Sequence, residues 1–377
     1  WTSKSLASRF KHDIFQTILR MRLTGIARLL LYPVSFYYAL HPAIRKRYSA
    51  YLEHRFGASG GLTGLWRTAR AYKNFADVLL DRAILRIRGN LPIRQDRNTL
   101  DALRSILSRG KGCLLVSAHF GSWQLGILGL ESLGSPIHLV QWIDEEDVDR
   151  HYFQGSRQAH DVHVINARQG LSAVIAIRQA LKDNSIVCFM GDRLTPNDRE
   201  TVRVPFLGGD IALPTAPYVL ASTCGAPVMH AFSIRKDGII TGLPPVVTHV
   251  PAHIRRNRPC GALPAISRSW SCATRTTSSI SMTYGATAMT KNELVDDLRK
   301  HILTELPLED VVEDDIQPDT LLFDQDGLGL DSLDAVELVV IIEKYYGVAI
   351  NDPEIAKTAF KNLDVLADYI LEHLPAK

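Results

Sequence analysis

The 377-residue chain holds reactive side-chain types in two places. His119 follows the apolar run Gly112-Cys113-Leu114-Leu115-Val116-Ser117-Ala118. A neutral imidazole at the end of a buried strand can take the proton of an attacking hydroxyl or amine. Gln124, five residues on, offers a side-chain oxygen to the ring N–H but no compensating charge. Asp192 in Gly191-Asp192-Arg193 could supply that charge, while Arg193 and Arg203 suit a phosphate or a developing oxyanion. The plainer alternatives are a packed histidine, and arginines in surface ion pairs with Asp198 or Glu200. Ser332 stands far away, in Gly329-Leu330-Asp331-Ser332-Leu333-Asp334-Ala335-Val336-Glu337-Leu338. Asp331 and Ser332 are helix-capping types, and Leu333, Val336, Val340 and Tyr345 then recur at helical spacing. Asp334 and Glu337 are expected on the exposed side, as carboxylates for basic partners.

The elements that hold these groups can be read coarsely. Residues 112–118, 185–190 and 227–234 read as buried strands, with a helix over 217–223. Strands alternating with helices predict an α/β domain, a mixed sheet with helices on both faces. The region after residue 289 predicts an all-α bundle of four helices. Charge separates the two. Residues 291–377 hold 21 acidic against 7 basic side chains, and the remainder 19 against 36. Such a split suggests two domains with different partners. The five cysteines form no Cys-x-x-Cys pair, and no metal site is expected. No basic–aromatic motif points to nucleic acid.

The Ser332 segment resembles acyl carrier proteins over about residues 289–377. That resemblance implies 4'-phosphopantetheine on Ser332, added by a phosphopantetheinyl transferase, with Asp331, Leu333, Asp334 and Glu337 recognising partners. A phosphodiester on Ser332 would face the free N–H groups of the helix start. The runs Gly-Leu-Asp-Ser-Leu-Asp and Glu343-Lys344-Tyr345-Tyr346-Gly347-Val348 are most similar to carriers of aryl-polyene or flexirubin pathways, which implies ketosynthase-type partners.

The first 250 residues resemble the lysophospholipid acyltransferase superfamily, nearest its bacterial lipid A branch. The resemblance is carried by His119-Phe120-Gly121-Ser122-Trp123-Gln124, Phe75-Ala76-Asp77-Val78-Leu79-Leu80-Asp81-Arg82, Gly191-Asp192-Arg193 and Arg203-Val204-Pro205-Phe206-Leu207-Gly208. The family has an acid where Gln124 stands. It implies catalysis by His119 with Gln124, Asp192 and Arg193, and substrate binding by Arg203, Phe206 and Gly208. The donor would be an acyl-carrier thioester and the acceptor a membrane-lipid hydroxyl. Two competing readings are a working carrier beside an inactive first domain and a membrane tether without chemistry.

The apolar run Leu23 to Leu40 is interrupted by Arg28 and Pro33 and flanked by Arg20, Arg22, Arg45, Lys46 and Arg47. It fits a helix lying on an anionic leaflet better than one spanning it, with a buried helix as the alternative. The expected location is cytoplasmic, on the inner face of the cytoplasmic membrane, with basic interfacial helices over about residues 15–45. Residues 251–288 contain five arginines and no acid. They read as a Ser/Thr-rich linker, or as a stretch translated out of frame. Shifting the frame permits an Asn-Phe-Tyr run like that which closes the acyltransferases, and Met289-Thr290-Lys291 then reads as a separate start. The expected division is 1–250, 251–288 and 289–377.

Overall fold

The computed structural model describes residues 17–58, 60–88, 93–94, 97–143, 162–195, 201–236, 239–242, 245–248, 289–306, 308, 311–324 and 327–374. Residues 251–288, and with them the choice between linker and out-of-frame stretch, lie outside the described residues.

Three helices open the described chain: α1 (Thr24–Leu40), α2 (Pro42–Phe56) and α3 (Gly61–Arg88). Ala27 and Leu31 of α1 pack on Leu80 and Ile84 of α3. Arg28 reaches across to Asp77 at 3.4 Å and to Asp81 at 2.6 Å. Asp81 is fully buried and takes a second guanidinium, that of Arg235.

The elements that follow are β1 (Ile93–Arg94), α4 (Arg97–Leu107), β2 (Cys113–Ser117), α5 (Trp123–Leu128), β3 (Ile137–Gln141), β4 (Val162–Asn166), α6 (Leu171–Lys182) and β5 (Ile186–Met190). After these come β6 (Thr201–Phe206), β7 (Gly209–Pro214), α7 (Ala216–Cys224), β8 (Val228–His230), β9 (Ser233–Lys236), β10 (Ile239–Gly242) and β11 (Val246–Thr248). Six strands form one sheet in the order β11-β8-β2-β5-β3-β4, parallel except at β11. Cys113, Leu115, Ile186 and Cys188 pack towards α4 and α5, whereas Leu114, Val116 and Val187 pack towards α6 and α7. Both faces are covered, which is why these strands are apolar throughout rather than alternating. The mixed sheet with flanking helices is the architecture expected.

One strand differs. The run 227–234 is divided between β8 in the main sheet and β9, which pairs with β10 in a three-stranded sheet. The Ser233 carbonyl accepts the Ser122 N–H at 2.9 Å, and Ser233 bridges to Gly121. That pairing draws the chain away from β2 just after His230.

The C-terminal region is helical: α8 (Lys291–Glu305), α9 (Ser332–Tyr346), α10 (Pro353–Ala359) and α11 (Leu363–His373). Leu298, Ile302, Leu338, Ile342, Leu366 and Ile370 share its core. Reciprocal side-chain-to-backbone caps start α8 at Thr290 and Glu293, and α9 at Asp331 and Asp334.

Candidate active site and carrier serine

Adjacent strands β2 and β5 are parallel and pair Ser117 with Met190. Two residues beyond each partner, the chain delivers His119 and Asp192 side by side at the carboxyl rim of the sheet. The Gly191 N–H extends the ladder to the Ser117 carbonyl at 2.8 Å. Residue 191 must be small, because a Cβ there would meet Val116 at 2.7 Å. Asp192 then holds His119 twice: its Oδ1 is 2.9 Å from the ring Nδ1 and its Oδ2 accepts the His119 backbone N–H at 3.0 Å. Burial alone would raise the Asp192 carboxyl, but the hydrogen bond and charge of His119 outweigh it and hold the group below its usual range.

The turn after His119 is equally constrained. Gly121 has φ +60°, and a Cβ on it would stand 2.2 Å from the Ser233 carbonyl oxygen, so glycine is required twice over. The Trp123 ring meets the imidazole edge-on, with centroids 5.6 Å apart. Gln124, expected as a weak partner of the ring, is instead 5% exposed within α5, and the Nδ1 partner is Asp192. Helix α5 starts at Trp123, so its first turn packs inward with the Leu125 core instead of folding back on His119. Trp123 also lines a cleft with Leu100, Leu115, Ile127 and Ile240, to which Thr99, Ser117, Ser233 and Thr241 add polar groups.

Arg193 follows Asp192 at an exposed position. Arg203, Phe206 and Gly208 lie on the β6–β7 hairpin, a separate two-stranded sheet. Its turn places Leu207 at φ +52° and Gly208 at φ +78°, and Phe206 at its tip is 52% exposed. The hairpin packs beside α2, since a Cβ on Gly209 would lie 3.1 Å from the His54 ring. Among the described residues no hydrogen bond or ion pair joins these three to His119 or Asp192.

Ser332 is the first residue of α9 and is half-buried. The Asp331 carboxylate accepts the N–H groups of Leu333 at 2.7 Å and Asp334 at 3.0 Å, and Asp334 accepts that of Asp331 at 2.7 Å. Both carboxylates therefore serve the helix start, and Asp334 and Glu337 are half-buried rather than on the open side expected. The reason is that α9 lies against the first domain: Leu333 and Val336 enter the cluster formed by α6, α7 and the sheet. Sequence reading missed Glu343, whose carboxylate bonds both Arg178 and Lys182 of α6. The four-residue spacing of those cations was the available signal.

The residues around Ser332 fit a phosphodiester. Its hydroxyl makes no hydrogen bond to a described residue, and it stands at the positive end of a 15-residue helix whose dipole favours an anion, although Asp331 already takes the N–H groups of Leu333 and Asp334. The opposite wall is Gly170, where a Cβ would come within 3.4 Å of the Ser332 Oγ.

Residues 69–247 match the family model of bacterial lipid A biosynthesis acyltransferases, and residues 296–370 that of the phosphopantetheine attachment site. The chain joins an acyltransferase domain of the lipid A type to a carrier domain. The carrier domain is of the type that bears covalent 4'-phosphopantetheine. The acyltransferase match spans both members of the His119–Asp192 pair and the main sheet up to Val247 in its last strand. No curated protein matches the chain.

Proposed function

We propose that the chain transfers an acyl group from a carrier thioester to a hydroxyl of a membrane lipid. The supporting observation is the bond between His119 Nδ1 and Asp192 Oδ1 at 2.9 Å. With Nδ1 engaged, Nε2 is the nitrogen that takes the acceptor hydroxyl's proton. Asp192 fixes the tautomer and stabilises the imidazolium as it forms. His119 then returns the proton to the departing sulfur, so the proton count closes. When bound to Ser332, 4'-phosphopantetheine supplies the acyl group as a thioester. The apolar cleft beside Trp123 suits the hydrocarbon portion of that group. In this reading the first domain spans about residues 1–250 and the carrier 289–377, with 251–288 between them. Arg193 and Arg203 are the cations for a lipid phosphate, with Phe206 and Gly208 shaping the hairpin beside it.

The acceptor's membrane is met by α1 and α3. Helix α1 is apolar on two sides: Ala27, Leu31 and Tyr38 pack inward, while Leu29, Tyr32, Phe36 and Leu40 face out. Leu29 is 67% exposed, and Leu62 and Trp66 of α3 are exposed too. A soluble helix ordinarily keeps its second face polar. With exposed Arg20, Arg22, Arg45, Lys46 and Arg47 around it, this surface suits peripheral binding at the inner, anionic leaflet. No helix among the described residues is long and apolar enough to cross a membrane. The likeness of the Ser332 and Glu343 runs to aryl-polyene and flexirubin carriers supports a place beside ketosynthase-type enzymes.

The test is incubation with an acyl-carrier thioester and a lysolipid, wild type against His119→Ala. Acylated lipid is expected from the wild type alone. Equal product from both would overturn the catalytic assignment.

A further inference from the structure

Helix α6 is buried on two sides for two different reasons. Ala173, Val174, Ile177, Ala180 and Leu181 pack on the sheet side. Leu171, Ile175, Arg178 and Lys182 recur at helical spacing on another side, which is one continuous stripe. Ile175 is 3% exposed because it enters the core of the carrier domain, with Leu171 packed against that core. The stripe ends in two cations, and the carrier helix α9 answers it. Ser332, Val336 and Glu343 share one face of α9, with the serine at one end and the carboxylate at the other. Ser332 faces Gly170 just ahead of α6, while Glu343 bonds Arg178 and Lys182 near its end. The two helices therefore run parallel, matched end to end in apolar contact and in charge.

Gly170 connects β4 to α6, so Ser332 lies at the carboxyl rim of the main sheet. His119 leaves that same rim from β2, three strands away in the order β2-β5-β3-β4. At about 4.8 Å per strand the separation along the rim is roughly 14 Å. We infer that the Leu171–Ile175–Arg178–Lys182 stripe is a dock for the chain's own carrier domain, holding Ser332 at the rim of the His119 site for acyl transfer within one chain. This rests on the acyl-transfer reading for its purpose, but the dock itself does not.

Amide hydrogen exchange on the full chain tests the dock without any acyl group. Residues 171–182 are expected to exchange slowly in wild type and roughly tenfold faster in Glu343→Arg, as a broken part-buried charge pair loosens the contact. Combining Glu343→Arg with Arg178→Glu and Lys182→Glu is expected to restore much of the protection. Equal exchange in wild type and Glu343→Arg, or no recovery in the charge swap, overturns the dock. Transfer is followed separately, in chains labelled on Ser332 and diluted with excess unlabelled free carrier. A first-order rate constant independent of protein concentration supports transfer within one chain. A first-order constant that rises in proportion to concentration overturns it. Protection at 171–182 without transfer in any format leaves the dock standing and sinks the acyl-transfer reading.

Discussion

The hydrogen bond between His119 and Asp192 ties an imidazole to a carboxylate whose titration it has moved downwards. In the unfolded chain an aspartate titrates at about 3.9. The folded value is lower, so the pair contributes stability above about pH 4 and loses it as pH falls through the folded value. Chemical unfolding of wild type and Asp192→Asn should therefore give midpoints that differ at pH 7 and draw together as pH falls below the usual aspartate range. At pH 7 the same substitution is expected to slow transfer by about two to four orders of magnitude, with the acceptor's KM little changed, as for an amide replacing the acid of a catalytic triad. A fall of less than tenfold would remove Asp192 from the mechanism. The strand end before His119 and the helix start at Ser332 were legible from sequence, because each borders an apolar run. The partnership with Asp192 was only a fallback there, since it depends on the register of β2 against β5, which neither strand's own residues encode.

Asp81 fastens α3 to both α1 and β9 by taking Arg28 and Arg235, with Asp77 a second acid for Arg28. Because Asp81 is fully buried, removing it takes from both guanidinium groups the carboxylate they share, leaving Asp77 as the acid beside Arg28. Asp81→Ala is expected to lower unfolding free energy by about 3–5 kcal/mol, the usual cost of breaking a buried charge cluster from one side. Denaturant titration reads this directly, and a loss below about 1 kcal/mol would mean the cluster is solvated. The sequence offered Phe75 to Arg82 as a family echo without this structural role. The strand split at Ala231 and Phe232 was hidden for a related reason. The apolar run continues past it, and only the close approach of Gly121 to Ser233 decides where β8 ends.

Charge and apolar surface are distributed unevenly over the whole molecule, with an acidic carrier, a basic remainder and bare hydrocarbon on α1 and α3. Binding to anionic vesicles is expected to weaken by about 1 kcal/mol for each of Arg45, Lys46 and Arg47 replaced by Gln, and to fall with added salt. Leu29→Asp with Tyr32→Asp should weaken it at any salt concentration. Flotation with and without anionic lipid reads both effects, and vesicle binding unchanged in both variants would exclude this face. The acidic carrier was plain from composition, whereas its seat on α6 was not, because the stripe is visible only once the sheet-facing side of that helix is known.

The half-burial of Ser332 against Gly170 carries a requirement of timing. A modifying or chain-building enzyme must approach the same end of α9 that α6 covers, so the carrier has to spend part of each cycle away from its seat. A tethered partner experiences an effective concentration of roughly millimolar. An intrinsic affinity about tenfold tighter than that value keeps the carrier seated most of the time and still frees it in a part of each cycle. Much tighter binding would leave the serine waiting unloaded, and much weaker binding would forfeit the tether. The contacts of Glu343 with Arg178 and Lys182 thus serve a balance between holding and release rather than strength alone.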